Sequence, residues 1–125
     1  MAVPRVNKVV VIVADDETVR GALLGMMKAA GLQARTFASA EEYLQSGEQG
    51  ETGCLISDIR MPGMSGLELQ AKLEADHWQI PIVFISAHGD EEMRLQALRA
   101  GAVEFLAKPF DRNILLDSVR AALES

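Results

Sequence analysis

The sequence contains a single cysteine, Cys54, so no disulfide can form within the chain. Because Cys54 lies in an apolar run, we expect a packed, unreactive thiol in a reducing compartment. No apolar run approaches the roughly 20 residues that a membrane-spanning helix needs. The apolar stretch near the N-terminus is short and is followed by no small-residue cleavage site, so it is interpreted as a strand. These absences predict a cytoplasmic protein with no membrane partner.

The chain also lacks an excess of basic residues. It has 12 Lys and Arg against 18 Asp and Glu, which gives a net charge of −6. A nucleic-acid-binding domain usually shows a basic face, so direct binding of nucleic acid is not expected. With 49% hydrophobic and 24% charged residues, the 125-residue chain has the composition of an ordinary soluble protein. We therefore expect a single domain over residues 1–125.

Strand-length apolar runs alternate with helical patterns along the chain. The runs lie at residues 9–13, 34–37, 54–56, 80–85 and 105–107. Several are rich in β-branched residues and do not alternate with polar ones, which is typical of parallel strands that are covered on both faces. About five β–α units are therefore predicted, with right-handed crossovers that place helices on both faces of a parallel sheet.

Residues with known preferences for helix ends agree with this division. Two pairs fit the capping box, and two aspartates and two glycines fit helix starts and ends. They are Ser39 with Glu42, Ser65 with Glu68, Asp90, Asp111, Gly31 and Gly101.

Polar residues follow four of the predicted strands. In an open parallel sheet, functional residues lie beyond the carboxyl ends of the strands. The residues found there are Asp15 and Asp16 after the first strand, Asp58 after the third, Ser86 after the fourth and Lys108 after the fifth. Three carboxylates, one hydroxyl and one ammonium group are therefore expected at one edge of the sheet.

Such a cluster of acids needs a cation. Two like charges about 4 Å apart repel each other by about 4 kcal/mol at an effective dielectric constant of about 20. The all-oxygen donor set indicates Mg²⁺, and Lys108 supplies a further positive charge. This equipment suits phosphoryl transfer, with Asp58 as the nucleophile that forms an aspartyl-phosphate. Neither histidine of the chain falls where the general base of a hydrolytic triad would be needed.

Four segments together resemble the receiver domain of two-component response regulators, and most closely its FixJ-like group. They are VVVIVADDETVR, LISDIRMPGMSGLEL, PIVFISAHGD and GAVEFLAKPF, in the order and spacing of the family. The resemblance extends from about residue 9 to the last helix. It implies an α/β fold of the (βα)5 flavodoxin-like type, a three-layer sandwich whose parallel sheet has the strand order 2-1-3-4-5.

The resemblance also implies a role for each site residue. Asp58 matches the phospho-acceptor, which takes a phosphoryl group from a sensor histidine kinase. Asp15 and Asp16 match the acidic pair that binds Mg²⁺ together with Asp58 and the backbone carbonyl of Arg60. Lys108 matches the catalytic lysine that contacts the phosphoryl group.

A switch is implied as well. Ser86 matches the hydroxyl position that moves to the phosphoryl group, and Phe105 the aromatic position that swings inward with it. The bond between Lys108 and Pro109 is expected to be cis, a form that is accessible before proline. In the loop after Asp58, we expect Gly66 to be the residue that needs unusual backbone angles.

The family's readout surface corresponds to the fourth helix, fifth strand and fifth helix, roughly residues 90–122. There we expect homodimerisation on phosphorylation or control of an output domain, and hence transcription regulation.

The chain would catalyse only its own phosphorylation and dephosphorylation, so it is expected to be a signalling switch and not an enzyme with a separate substrate. Because FixJ-like regulators usually continue into a DNA-binding domain, truncation from a longer regulator fits the pattern, and nucleic acid would be bound only through that absent domain. A stand-alone receiver that relays phosphate or controls a partner protein remains an alternative.

Simpler and rival interpretations are open to test. Asp15 and Asp16 can merely cap a helix, Phe105 can be a core residue, and His88 can be a solvated loop residue near the site. A Mg²⁺-dependent phosphatase usually has a second acid two residues after its nucleophile, where this chain has Arg60. A flavodoxin-like cofactor binder needs a phosphate loop after the first strand, where ADDETVR places negative charge. A degenerate receiver is disfavoured because all the acidic, hydroxyl and lysine positions are present.

Overall fold

The computed structural model describes residues 8–87 and 91–124, in which five strands alternate with five α-helices. The strands are β1 (Val9–Val13), β2 (Ala34–Phe37), β3 (Thr52–Asp58), β4 (Ile82–Ser86) and β5 (Glu104–Ala107). The helices are α1 (Glu17–Ala29), α2 (Ala40–Ser46), α3 (Gly66–Ala75), α4 (Glu91–Arg99) and α5 (Arg112–Glu124), and a 3-10 turn spans Glu48–Glu51. Within this described part of the chain, no helix has both the length and the apolar character to cross a bilayer.

The strands form one parallel sheet in the order β2-β1-β3-β4-β5. All residues of β1, β3 and β4 are buried, as expected for central strands that are covered on both faces. Helices α2, α3 and α4 contribute to one buried cluster, and α1 and α5 to the other. The three-layer flavodoxin-like fold and its strand order are therefore confirmed.

Alternation along the strands divides the core between these two clusters. In β1, Val9, Val11 and Val13 belong to the cluster with α2, α3 and α4, whereas Val10 and Ile12 belong to the cluster with α1 and α5. Cys54 lies fully buried in the second cluster, and burial raises the pKa of its thiol to about 12. The expectation of a packed cysteine is therefore confirmed, and its lack of reactivity stays a prediction.

The predicted limits of two strands were wrong. Strand β3 is longer than the apolar run at residues 54–56, because Thr52 pairs with β1 and Asp58 with β4. Strand β4 begins later than residue 80, at Ile82, after a proline that has no N–H to donate. The Pro81 carbonyl still accepts the N–H of Leu55 at 2.9 Å.

Most of the predicted helix ends are confirmed. Ser65 and Glu68 form a complete capping box, and the side chains of Ser39 and Asp111 accept backbone N–H groups at the starts of α2 and α5. Gly31 and Gly101 close their helices at φ +77° and +102°. The predicted cap at Asp90 lies outside the described residues.

Candidate functional site

The sheet register brings the ends of four strands to one edge of the molecule. The Cα partners nearest this edge are Val13 with Ser57, Asp58 with Ile85, and Ser86 with Ala107. The loops that leave β1, β3, β4 and β5 therefore start side by side, which is the arrangement that the sequence predicted for the acidic, hydroxyl and lysine residues.

Asp58 is the last residue of β3, and it is 9% exposed. Burial raises the pKa of its carboxyl group, and the ammonium group of Lys108 partly offsets this rise. The carboxylates of Asp15 and Asp16 raise the pKa further, while a hydrogen bond from the Ile59 backbone lowers it. Asp15, Asp16 and Lys108 thus lie near enough for their charges to act on Asp58.

The acidic pair lies in the exposed loop between β1 and α1. Asp16 caps α1, since its Oδ1 atom accepts the N–H groups of Thr18 at 2.8 Å and Val19 at 3.2 Å. The capping interpretation of Asp16 is therefore correct, but it does not compete with a role at the site. Both bonds end on Oδ1, and the second carboxylate oxygen takes part in neither.

Arg20 holds the same loop, a role that sequence reasoning missed. Its Nη1 group donates to the carbonyl oxygens of Ala14 at 2.8 Å and Asp15 at 3.0 Å. The guanidinium group thereby fixes the backbone of the loop that contains Asp15 and Asp16. The only signal in the sequence is a basic residue one helical turn beyond Asp16, a spacing that is common for other reasons.

Ser86 and Lys108 lie at the ends of adjacent strands. Ser86 is 2% exposed, and its carbonyl accepts the backbone N–H of Lys108 at 2.8 Å. The peptide bond between Lys108 and Pro109 is cis, as predicted. Ser86 is therefore the last residue of β4, with Asp58 at the end of the strand on one side and Lys108 just beyond the strand on the other.

Phe105 is a core residue in this structure. It is 6% exposed and lies opposite Phe84 in the sheet, with ring centroids 6.5 Å apart and planes at 51°. The core interpretation of Phe105 is thus correct for this conformation. A switching role would require a second conformation and stays a prediction.

The expectation for Gly66 was wrong in its reason. The backbone angle φ of Gly66 is ordinary, and the positive φ of this loop belongs to Gly63, at +75°. Gly66 is needed because a Cβ atom there would lie 2.3 Å from the carbonyl oxygen of Asp58 and 3.1 Å from the Cα of Ile59. Helix α3 therefore begins in direct contact with the backbone that carries the acidic residue.

The chemistry of the predicted donor set suits a hard divalent cation. The oxygens predicted as ligands are the carboxylates of Asp15, Asp16 and Asp58 and the backbone carbonyl of Arg60, and this ligand set stays a prediction. Among residues 8–87 and 91–124, no group of three or more acidic, His or Cys side chains that could hold a metal ion is found, so the three aspartates do not form a closed carboxylate ligand set in this conformation. Mg²⁺ commonly takes only one or two carboxylates and keeps several waters, so an open set of this kind suits it.

A surface groove lies elsewhere on the described part of the chain. It has a volume of about 670 Å³ and is lined by residues that include Leu73, His77, Trp78, Ile80 and Val103. These residues lie near the starts of β4 and β5, at the sheet edge opposite Asp58. The groove therefore takes no part in the site. His88, expected near the site mouth, lies outside the described residues.

Comparison with known proteins agrees with this geometry. Residues 10–120 match the family model described as the response regulator receiver domain. The chain is 47% identical over 118 residues to the response regulator protein TmoT of Ectopseudomonas mendocina, covering 94% of this chain and 54% of TmoT. It is 37% identical over 112 residues to the transcriptional regulatory protein FixJ of Azorhizobium caulinodans, covering 90% and 53%.

A crystal structure of FixJ-N superposes with a TM-score of 0.86 at 38% identity, covering 94% of both chains. The chain spans about half the length of the two curated relatives, so it corresponds to one part of those proteins. The match to FixJ-N covers nearly all of both chains, and the family model covers all five strands from Val10 onward. The chain belongs to the family of response regulator receiver domains.

Proposed function

We propose that this receiver domain accepts a phosphoryl group on Asp58 from a sensor histidine kinase and uses the modification as a conformational signal. The observation that carries the proposal is the setting of Asp58. Its carboxylate is buried at a strand end, where the charge of Lys108 lowers its pKa and the charges of Asp15 and Asp16 raise it. A purely structural aspartate would have no use for two further acids.

In the proposed reaction, an Oδ atom of Asp58 attacks the phosphorus of a phosphohistidine. The new P–O bond forms as the P–N bond breaks, and the electron pair returns to the imidazole nitrogen, which then takes up a proton. The ammonium group of Lys108 pairs with the phosphoryl oxygens, and the hydroxyl of Ser86 donates a hydrogen bond to one of them. Hydrolysis of the acyl phosphate later restores the carboxylate. Because Asp58 forms the new bond and Lys108 and Ser86 contact the phosphoryl oxygens, these three are the proposed catalytic residues.

Asp15, Asp16, Asp58 and the Arg60 carbonyl would hold Mg²⁺ at this site. When bound, the ion neutralises the acid cluster and the charge on the transferring group. The chain's own contribution is to hold the loop that carries the acidic pair. The cap of α1 fixes Oδ1 of Asp16, and Arg20 fixes the backbone carbonyl of Asp15.

We further propose that the phosphoryl group biases a two-state switch. Charge-assisted bonds to Ser86 and Lys108 would draw the end of β4 toward Asp58 and let the ring of Phe105 repack. The signal would then reach α4, β5 and α5. This surface exposes Leu95 and Ile114, and it carries charges of both signs, which suits a self-complementary homodimer contact.

The names of the relatives favour transcription as the regulated process. FixJ of Azorhizobium caulinodans is called a transcriptional regulatory protein, and it is about twice as long as the matched region. We therefore propose that this receiver controls an output domain, through which any DNA contact would occur. A receiver that controls a separate partner protein predicts the same chemistry at Asp58 without a DNA-binding partner domain.

Incubation with acetyl phosphate, followed by intact mass measurement, tests the proposed chemistry. A mass gain of one phosphoryl group is expected for the wild type with Mg²⁺, and no gain with a chelator or for Asp58→Asn. Ser86→Ala and Lys108→Ala should slow the gain while the fold, followed by circular dichroism, is retained. An equal gain in Asp58→Asn would refute the proposal. Sedimentation before and after phosphorylation tests the dimer separately.

A further inference from the structure

The loop between β3 and α3, residues 59–65, connects Asp58 to the next helix and is held by hydrogen bonds at its base and at its tip. At its base, the N–H of Gly66 donates to the carbonyl of Ile59 at 2.9 Å. At its tip, the N–H of Met64 donates to Oε2 of Glu41 at 2.9 Å. Glu41 lies in the first turn of α2, so its bond with Met64 ties a separate helix to the loop beside the acid cluster.

Gly63 leaves room for the carboxylate of Glu41. Its φ is +75°, and a Cβ atom built on it would lie 2.5 Å from Oε2 of Glu41. A side chain at residue 63 would therefore occupy the position of the carboxylate. The hydrogen bond from the Met64 N–H also lowers the pKa of Glu41, so the acceptor is ionised at neutral pH.

Arg60 lies between these two attachments. Its neighbour Met61 is 9% exposed and packs into the cluster beneath α2, α3 and α4, with Met64 packed against that cluster. The carbonyl of Arg60 is the proposed backbone ligand of Mg²⁺. The direction of a backbone carbonyl is set by the φ and ψ angles around it, and these depend on how the loop is held.

We propose that Glu41 is a positioning residue of the metal site: its carboxylate holds the tip of the loop at residues 59–65 so that the Arg60 carbonyl faces the acid cluster. The inference rests on the proposed function of Asp58. Glu41 touches neither the phosphoryl group nor the metal ion, and it acts through Met64 and the loop backbone.

Such a role predicts a particular pattern of effects. Groups that orient metal ligands from outside commonly change metal affinity by about 10- to 100-fold when they are removed. Because Glu41 is exposed and acts through the loop backbone, we expect an effect below that range, about 3- to 10-fold weaker Mg²⁺ binding in Glu41→Ala. Phosphorylation at saturating Mg²⁺ should proceed at nearly the wild-type rate, since none of the catalytic residues is changed.

Calorimetric titration with MgCl₂ alone tests the proposal on four proteins: wild type, Glu41→Ala, Glu41→Gln and Glu42→Ala. Glu42 is the matched control, because it is the adjacent exposed carboxylate in the same helical turn and its removal changes the net charge equally. Weaker binding is expected for Glu41→Ala only. Glu41→Gln should stay near wild type, because the amide oxygen can still accept the Met64 N–H.

Phosphorylation by acetyl phosphate over a range of Mg²⁺ concentrations gives the second readout. For Glu41→Ala the half-saturating Mg²⁺ concentration should rise by the same factor as the dissociation constant, with the plateau rate unchanged. Gly63→Ala, which displaces the carboxylate while keeping its charge, should reproduce this shift. Alanine at φ +75° also strains the loop backbone, so Gly63→Ala reports on the loop and Glu41→Ala on the carboxylate.

Three results would overturn the proposal. They are wild-type Mg²⁺ affinity in both Glu41→Ala and Gly63→Ala, an equal loss in Glu42→Ala, and a lower plateau rate with unchanged affinity. A wild type that binds no Mg²⁺ and takes up no phosphoryl group would instead refute the proposed function, and this inference with it. A wild type that does both, with variants that match it, refutes the inference alone.

Discussion

Replacing Gly66 with alanine tests how closely the start of α3 lies against the end of β3. The added Cβ atom would lie 2.3 Å from the carbonyl oxygen of Asp58, 3.0 Å from a ring carbon of Phe84 and 3.1 Å from the Cα of Ile59. The first distance is about 1 Å shorter than an ordinary van der Waals contact. Two of the three neighbours are backbone atoms, so no side-chain rotation can relieve the clash.

The cost can be estimated from the effects of overpacking. Extra methyl groups in a filled site commonly cost about 1–3 kcal/mol, and a backbone clash belongs near the upper end. Alanine recovers up to about 1 kcal/mol of helix propensity relative to glycine. We therefore expect Gly66→Ala to lower the free energy of unfolding by about 2–3 kcal/mol, and the melting temperature by roughly 10 °C.

Gly25→Ala is the matched control. Gly25 lies inside α1, and a Cβ atom built there meets nothing within 4 Å. The same substitution should therefore stabilise the protein by about 0.5–1 kcal/mol. Urea denaturation of the two variants and the wild type measures both effects. Equal stability of Gly66→Ala and Gly25→Ala would refute the close approach of α3 to Asp58.

Three further outcomes are expected. Tyr43→Phe removes a buried hydroxyl that lies 2.7 Å from Oγ1 of Thr52, so urea denaturation should show a loss of about 1–2 kcal/mol; an unchanged midpoint would contradict the bond. Because the pKa of Asp58 is raised on folding, its contribution to stability is present at low pH and is lost as the pH rises through the folded-state value. Asp58→Asn should accordingly have a larger free energy of unfolding than the wild type at neutral pH, and this difference should shrink as the pH is lowered. A difference that grows on acidification would mean that folding lowers the pKa of Asp58. Burial raises the pKa of Cys54 to about 12, so a thiol reagent should label it only after unfolding, whereas rapid labelling of the native protein would contradict its burial.

The main features of the fold could be predicted from the sequence because its signals are local and repeated. Runs of β-branched residues such as β1 indicate strands covered on both faces, whichever helices cover them. Helix caps depend on residues within one turn, so Ser65 and Asp111 were assigned correctly. Strand limits were less accurate, since Thr52 joins β3 through pairing with β1 although neither Thr52 nor Gly53 extends the apolar run at residues 54–56.

The position of the site could be predicted for a different reason. Parallel strands end at one edge, so Asp58, Ser86 and Lys108 are brought together by topology without any knowledge of side-chain contacts. Their identity as a receiver site came from the resemblance to a known family and not from the spacing alone.

The contacts that hold the site could not be predicted. Arg20 and Glu41 act on backbone groups, which have the same chemistry at every residue and leave no mark in the sequence. The role of Gly66 was misjudged for a similar reason, because a close approach between α3 and β3 depends on how the two elements pack. Positive φ and steric crowding both select glycine, and only the three-dimensional structure shows which of the two applies at a given position.

The proposed function depends on one buried carboxylate, that of Asp58, receiving the phosphoryl group. The most direct test is to phosphorylate the wild type with acetyl phosphate and Mg²⁺, digest it rapidly in acid and locate the added mass by fragmentation. The phosphoryl group is expected on Asp58 alone. Its presence on Asp15, Asp16 or Ser86, or equal phosphorylation without a divalent cation, would show that Asp58 is not the Mg²⁺-dependent phospho-acceptor.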